Sequence, residues 1–183
     1  MSAPQTRLRV ELPAVLSVGS NLGDREATLR AAVAAIGAVA GVRVDAASSI
    51  VETAALKPHG VDADAPAYLN AAVAIRTALT PQQLLAELAR IEREHGRERA
   101  ERWGDRTLDI DIVWFGGLRV DTDALTIPHP RAAERVFVLA PWVELQPDAA
   151  LPAVDAGGEP RRVDELLAAL GEPVLRYPAD ALL

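Results

Sequence analysis

The sequence contains no cysteine, which excludes disulfides, thiolate metal sites and thiol nucleophiles and fits a reducing compartment. It also lacks an apolar segment at its start, where Arg7, Arg9 and Glu11 interrupt the apolar residues, so no secretory signal is predicted. A run of about 18 apolar residues, the length that spans a membrane, does not occur either. These absences predict a cytoplasmic enzyme with no membrane partner.

Positive charge and aromatic side chains are both scarce. The chain has 19 Lys and Arg against 26 Asp and Glu, a formal net charge of -7, and 4% aromatic residues. A nucleic-acid-binding domain usually has a basic face, so that class is disfavoured. Lys57 is the sole lysine. The excess of arginine fits a GC-rich genome, yet arginine also binds phosphate with two parallel hydrogen bonds.

The 183 residues predict a single domain over the whole chain. Apolar periodicity and turn residues give strands near 14–19, 42–52, 68–77 and 108–115, with helices following Asp24 and Thr80. The predicted order, βαββαβ, is that of an α+β ferredoxin-like fold, an antiparallel sheet with its helices on one face.

The connecting segments are less regular. We expect a long loop over 53–66, a small hairpin near 119–127, and a helix over 131–143 that stops or kinks near Pro141. The core then covers about 14–145. Residues 146–183 are predicted to form an irregular C-terminal extension with one short helix near 163–170.

Two aspartates stand out on the fourth predicted strand. Asp109 and Asp111 are two residues apart, so both carboxylates project from one face, about 7 Å apart. Leu108, Ile110 and Ile112 alternate with them toward the core. Magnesium prefers oxygen ligands and leaves coordination positions for substrate phosphates, and paired carboxylates suit two such ions. The alternative is the solvent-exposed face of an edge strand.

An arginine-rich segment leads into this strand. Arginines can hold phosphate oxygens in pairs, but interspersed acidic residues leave the segment with little net positive charge, so a solvated loop is the alternative. An indole in such a loop packs on a flat ligand or on the protein's own core. The segment supplies these candidates: Arg97, Arg99, Arg102, Trp103 and Arg106.

Two shorter patterns complete the set. His129 lies between Pro128 and Pro130, on a stiff segment that suits a hydrogen-bond donor to phosphate, although a lone histidine in a turn is more often structural. Tyr68 and Asn70 share one face of a strand and offer a ring and an amide, or simply begin the strand. No Walker loop is present, so arginines and metal would have to hold any phosphates.

In combination, these motifs resemble those of the 6-hydroxymethyl-7,8-dihydropterin pyrophosphokinase family over about residues 14–145. The arginine-to-aspartate segment is highly specific to that family, and the others support it. The motifs that carry the resemblance are Gly19-Ser20-Asn21-Leu22-Gly23-Asp24, Tyr68-Leu69-Asn70-Ala71, Arg102-Trp103-Gly104-x-Arg106-Thr107-Leu108-Asp109-Ile110-Asp111 and Pro128-His129.

The resemblance implies that the chain transfers diphosphate from ATP to 6-hydroxymethyl-7,8-dihydropterin in folate biosynthesis, giving AMP and the pterin diphosphate. It implies two Mg²⁺ ions on Asp109 and Asp111, catalytic roles for these two and for Arg97 and Arg106, and a monomer. The implied ATP-binding residues are Glu92, Arg97, Arg99, Arg102, Trp103, Arg106, Ile112, Thr126, His129 and Arg135. The implied pterin-binding residues are Thr53, Leu56, Tyr68, Asn70, Trp103 and Phe137, with Tyr68 and Phe137 on the two sides of the ring.

The sequence departs from the family pattern in the loop after Thr53, which lacks the usual Thr-x-Pro-x-Gly stretch, at Asp105, where proline is usual, and at Pro130. The altered loop after Thr53 favours one rival function, a catalytically silent pterin- or nucleotide-binding protein. A ferredoxin-like nucleic-acid module is the other rival, and the charge of -7 disfavours it. Formation of AMP separates the enzyme from both.

Overall fold

A computed structural model describes residues 10–57, 60–62, 65–96, 107–153 and 158–183. Its main strands are β1 (Leu12–Ser20), β2 (Val42–Ala47), β3 (Val51–Thr53), β6 (Tyr68–Thr77) and β7 (Asp109–Phe115). Short strands are β4 (Ala55–Lys57), β5 (Gly60–Asp62), β8 (Val120–Asp121), β9 (Thr126–Ile127), β10 (Ala150–Leu151), β11 (Arg161–Arg162) and β12 (Leu175–Arg176). The helices are α1 (Arg25–Gly37), α2 (Pro81–Glu94), α3 (Val136–Leu145) and α4 (Val163–Leu170), and a single 3-10 turn, Ala132–Glu134, precedes α3.

The central sheet is antiparallel in every pairing that the described residues make. Its order is β12-β3-β6-β1-β7, and β2 pairs with β6 on the same edge as β3. β1 and β6 lie in the middle and are apolar on both faces, as expected of strands covered on both sides. β7 is an edge strand, which matters for the site described below.

Helices cover both faces of the sheet: the two helices of the predicted βαββαβ order, α1 and α2, share one face, and the later helices α3 and α4 cover the other. α1 and α2 enclose the larger core, which includes Leu16, Leu29, Ile36, Val73 and Leu88. We call this side the α1 face. α3 and α4 cover the other side, the α3 face, where a second core includes Val15, Ala72, Val113, Leu139 and Trp142. Successive strand residues point to opposite faces, so the two cores alternate along each central strand.

The first two helices begin where the sequence predicts. The Asp24 carboxylate accepts from Ala27 N at 3.1 Å and caps α1. Thr80 caps α2 through a capping box, in which its hydroxyl accepts from Gln83 N and the Gln83 amide oxygen accepts from Thr80 N. Such caps satisfy N–H groups that the first helical turn leaves free.

Three predicted segments differ in detail. The strand expected over 42–52 divides into β2 and β3, because Ser48 bonds to both backbone groups of Ala72 and breaks the regular ladder. The loop expected over 53–66 contains the β4–β5 hairpin. α3 runs past Pro141 to Leu145 without stopping. Pro141 lies in the second turn of this helix and is buried.

The tail adds structure to the sheet. Besides the predicted helix, now α4, it contains the β10–β11 pair and β12, which pairs with β3 at the sheet edge. Leu182, next to last in the chain, is buried in the larger core. Among the described residues, no helix has both the length and the apolar character needed to cross a membrane.

Candidate active site

The register of the sheet places the candidate residues of four strands on the α3 face. Asn70 of β6 is directly opposite Gly19 of β1, and Gly19 is directly opposite Asp109 of β7. Residues directly opposite each other point to the same face. Thr53 of β3 is directly opposite Tyr68 of β6, and this pair lies on the same face, two residues along the strand from Asn70. The pterin and metal candidates therefore share one surface.

The aspartate pair lies at the β7 end of this surface. Ile110 and Ile112 are 4% and 3% exposed and point into the larger core, so the predicted alternation is confirmed. The Asp111 side chain is 38% exposed and faces the α3 side across from Ser17. The two carboxylates are thus accessible from solvent while their strand is anchored in the core.

Two cationic or polar groups lie beside Asp111. Its Oδ2 is 3.6 Å from Nη1 of Arg135 and 3.8 Å from Nε2 of His129. Arg135 is mostly buried, and its guanidinium lies over the ring of Phe137, 5.6 Å from the ring centre. α3 thus brings one charged and one aromatic candidate to the α3 face.

His129 is held as a neutral imidazole. Burial, reinforced by the nearby Arg135 cation, lowers its pKa to about 4, and the Asp109 carboxylate offsets this only partly. The backbone N–H of Arg131 donates to Nδ1 at 3.1 Å. In the neutral ring the proton therefore lies on Nε2, the nitrogen that faces Asp111. The backbone N–H of His129 donates to Val113 O at 2.9 Å and also fixes the position of the residue.

The pterin candidates are ordered by a close approach between strands. Asn70 is 4% exposed, and its side-chain N–H donates to Thr53 Oγ1 at 3.1 Å. A Cβ added to Gly19 would lie 2.8 Å from Asn70 Oδ1. Gly19 is therefore needed to make room for the Asn70 amide. The sequence singled out the motif that begins with Gly19 but gave the residue no role.

A cavity of about 240 Å³ opens on the outer side of β7, between α2 and the β8–β9 hairpin. Its lining includes four predicted site residues: Asp111, Ile112, Thr126 and His129. Leu85 of α2 and Asp123 before β9 also line it. The sequence gave neither Leu85 nor Asp123 a functional role, because neither belongs to a motif with a chemical signature.

Glu92 has a structural contact at this edge. It is 4% exposed, and its Oε1 accepts from the backbone N–H of Ile110 at 2.8 Å. The carboxylate therefore anchors the outer edge of β7 to α2. A contact of Glu92 with ATP stays a prediction.

Several predicted residues lie outside the described part of the chain. These are Arg97, Arg99, Arg102, Trp103 and Arg106. Leu56 belongs to β4, and its contact with a pterin stays a prediction. The remaining predicted residues gather on the α3 face or around the cavity beside it.

The oxygen ligands offered by the protein suit a Mg²⁺ ion that is also bound by substrate phosphates. Within the described ranges, no group of three or more His, Cys, Asp and Glu side chains could hold a metal ion. Two carboxylates on one face nevertheless suit Mg²⁺, which usually keeps several waters and binds substrate phosphates besides one or two carboxylates.

Sequence comparisons match this chain to a known protein family. The profile of a family described as 7,8-dihydro-6-hydroxymethylpterin-pyrophosphokinase (HPPK) matches residues 15–147. Two curated relatives are named 2-amino-4-hydroxy-6-hydroxymethyldihydropteridine pyrophosphokinase. The one from Bacillus subtilis is 48% identical over 132 residues, 72% of this chain and 77% of the relative. The one from Methylorubrum extorquens is 43% identical over 157 residues, 86% of this chain and 92% of the relative.

Solved structures show a similar fold. A variant of Plasmodium falciparum HPPK-DHPS with STZ-DHP matches with a TM-score of 0.63 at 12% identity, over 90% of this chain and 46% of that chain. A structure of HPPK-DHPS in complex with substrates matches with a TM-score of 0.62 at 14% identity, over 87% of this chain and 43% of that one. This chain thus spans less than half the length of either, and the likeness shows the fold alone.

Proposed function

The chain belongs to the 7,8-dihydro-6-hydroxymethylpterin-pyrophosphokinase family, and we propose that the α3 face of its sheet is where the pterin and ATP meet. The chain is an ATP-dependent pyrophosphokinase. It transfers diphosphate from ATP to 6-hydroxymethyl-7,8-dihydropterin in folate biosynthesis, and AMP and the pterin diphosphate are the products.

The scaffold of this site is a ferredoxin-like βαββαβ unit. The four strands are β1, β2 together with β3, β6 and β7, and α1 and α2 make the two crossovers. β7 and β6 flank β1, and β2 and β3 lie beyond β6. This is the order expected when two βαβ halves interleave in one antiparallel sheet. The segment after residue 145 then supplies an extension to that unit.

One observation carries the site assignment: Asn70, Gly19 and Asp109 form a single row across three strands. Two strand spacings separate the ends of this row, about 10 Å. A flat bicyclic ring whose amide edge bonds to Asn70 can therefore extend its hydroxymethyl arm toward Asp109. Tyr68 and Phe137 supply the rings on either side, and Thr53 orients the Asn70 amide.

The ATP side lies at the outer edge of β7. The backbone N–H of Ile110 points away from β1 and donates to Glu92. Backbone groups two residues apart on a strand point the same way. The backbone N–H of Ile112 therefore points toward the cavity. Thr126 and His129 line the same cavity. Pockets for whole small molecules measure about 300–1,000 Å³, so this cavity takes the base and ribose, and the phosphates extend toward Asp111.

In the reaction, the pterin hydroxyl oxygen forms a bond to the β-phosphorus, the bond from that phosphorus to the oxygen of AMP breaks, and the hydroxyl proton passes to solvent. Two Mg²⁺ ions held by Asp109 and Asp111 would neutralise phosphate charge and align the reactants. His129 donates its Nε2 proton in a hydrogen bond to a phosphate oxygen. Arg135 supplies positive charge beside Asp111.

Other parts of the assignment rest on the sequence pattern. Phosphate binding by Arg97, Arg99, Arg102 and Arg106 and ring contact by Trp103 follow from the family motif. A monomeric state is proposed on the same resemblance, and a cytoplasmic location stays a prediction from the sequence.

We expect Asp109→Asn and Asp111→Asn each to reduce AMP formation at least about a hundredfold, since each removes a charge that binds metal. The measurement is AMP released from ATP, Mg²⁺ and the hydroxymethyl pterin. Asp45→Asn is the matched control. Asp45 is also a half-exposed sheet aspartate, but it lies on β2, away from β7, and pairs with Arg43 and Arg76.

Full AMP formation by either variant would exclude a metal-binding role for that aspartate. A folded wild-type chain that binds the pterin and ATP but forms no AMP would instead favour the silent binding protein.

A further inference from the structure

Arg25, the first residue of α1, holds two strands of the sheet together. Its Nη1 donates to Glu52 Oε1 of β3 and to Ala67 O, just before β6, each at 2.8 Å. Its guanidinium also lies 6.0 Å from the ring centre of Tyr177 in the tail. One side chain thus joins β3, β6 and the C-terminal segment.

These contacts lie next to two of the residues that are candidates for pterin binding, Thr53 and Tyr68. Thr53 of β3 pairs with Tyr68 of β6, and Glu52 and Ala67 are the residues immediately before them. The β4–β5 hairpin lies between these two positions in the chain. Arg25 therefore fixes the spacing of both ends of the segment that carries the hairpin.

Arg25 acts from the opposite face of the sheet. Glu52 is directly opposite Leu69, which lies in the core under α1, whereas Thr53 points to the α3 face. A pterin on the α3 face is separated from Arg25 by the sheet itself. Any effect of Arg25 on pterin binding must pass through β3 and β6.

The tail reinforces β3 from its outer side. β12 pairs with β3, and the N–H of Tyr177 donates to Ile50 O at 2.9 Å. Glu144 of α3 accepts from both the N–H and the hydroxyl of Ser49, at 2.7 and 2.6 Å, and lies 3.4 Å from Arg176. β3 has three residues, too few to hold its position by its ladder alone, so these contacts set its place.

We infer that Arg25 is a positioning residue for the pterin end of the site, acting through Glu52, Ala67 and the tail residue Tyr177. The inference rests on the proposed pterin site. Arg25 and Glu52 have side chains 26% and 34% exposed, and ion pairs of that exposure contribute little to stability. Their main effect is on geometry.

The test measures the Kd of the hydroxymethyl pterin by calorimetry, with Mg²⁺ and a non-hydrolysable ATP analogue present, and the Kd of the analogue separately. Arg25→Met should raise the pterin Kd about tenfold, because small displacements of binding groups are costly. The analogue Kd should stay within about twofold. Arg25→Lys should have a pterin Kd between those of the wild type and Arg25→Met, since a single ammonium replaces the planar guanidinium.

Arg30→Met is the matched control. Arg30 is also on α1, pairs with Glu26, and donates to the tail at Ala181 O and Asp180 O at 2.7 and 2.8 Å. It makes none of the contacts to β3 that Arg25 makes. We expect its pterin Kd to match that of the wild type. Glu52→Gln serves as a milder second variant should Arg25→Met fold poorly.

A pterin Kd unchanged by Arg25→Met and Glu52→Gln would overturn the inference. Equal increases in the pterin and analogue Kd would overturn it too, because they indicate a general loss of structure. A wild-type chain that binds the pterin without forming AMP contradicts the proposed reaction but leaves this comparison intact. A wild-type chain that binds no pterin overturns both.

Discussion

Gly19 lies at the centre of the candidate site without a side chain of its own. It is opposite Asn70 on one side and Asp109 on the other, between the proposed pterin and metal ends. The Asn70 amide occupies the space where a Gly19 side chain would be. The small size of this residue therefore allows the Asn70 amide its present position.

We predict that Gly19→Ala raises the pterin Kd about tenfold. A new Cβ at 2.8 Å from Asn70 Oδ1 forces the amide to move and strains its bond to Thr53, and overpacking of this kind typically costs 1–3 kcal/mol. Calorimetric titration with the pterin measures the effect. Gly37→Ala is the control, because its new Cβ would meet only Val44 Cγ2 at an ordinary 3.5 Å. Unaltered pterin binding by Gly19→Ala would contradict the proposed role of Asn70.

Residue-level prediction from the sequence succeeded where the pattern is local. The alternation around Asp109 and Asp111 predicted which residues of β7 enter the core and which face away from it, and the burial of Leu108, Ile110 and Ile112 confirms this. Gly19 and Arg25 received no role, because their importance comes from register and packing between segments distant in the chain. Neither spacing nor residue type along one strand reveals which residue lies opposite.

Among the elements, β7 has an unusual position, since it carries the aspartates but lies at the sheet edge. Its outer backbone groups would otherwise face solvent or the cavity. Glu92 on α2 accepts from one of them, Ile110 N. This contact joins the strand that carries both aspartates to the helix that lines the cavity.

We predict that Glu92→Leu lowers the free energy of unfolding by about 1–3 kcal/mol, because it leaves a buried N–H without this acceptor. Chemical denaturation measures this change. Glu92→Gln keeps an oxygen acceptor and should lower the free energy of unfolding by less. Glu87→Leu, on the same helix but half exposed, should stay within about 0.5 kcal/mol of the wild type. Equal stability of Glu92→Leu and the wild type would show that the contact is dispensable.

Element prediction failed where long-range contacts override local signals. Pro141 suggested that the helix stops or kinks, yet α3 does not stop there, because its apolar residues pack against the second core; a kink stays a prediction. The β2–β3 division depends on Ser48 reaching Ala72 of another strand. The capped starts of α1 and α2 were predictable, since capping requires only residues within one turn.

At the scale of the whole molecule, the central sheet has two functional ends. β7 carries the metal candidates at one edge, and β3 carries Thr53 near the other, where β12 adds the outermost strand. The family match ends at residue 147, so β12 belongs to the part of this chain beyond it. Through β12, the tail contacts the sheet at the edge where Thr53 lies, so we expect its loss to affect pterin binding more than ATP binding.

We predict that a chain ending at Gly171 binds the pterin more weakly but binds the ATP analogue as the wild type does. The truncation removes β12 and Tyr177, which support β3, and also Leu182, which is 8% exposed in the larger core. Loss of that leucine alone should reduce the free energy of unfolding by about 1.5–3 kcal/mol. A chain lacking only Leu183, which is 64% exposed, is the control and should behave as the wild type. If the analogue Kd rises as much as the pterin Kd, the tail stabilises the whole sheet rather than its pterin end.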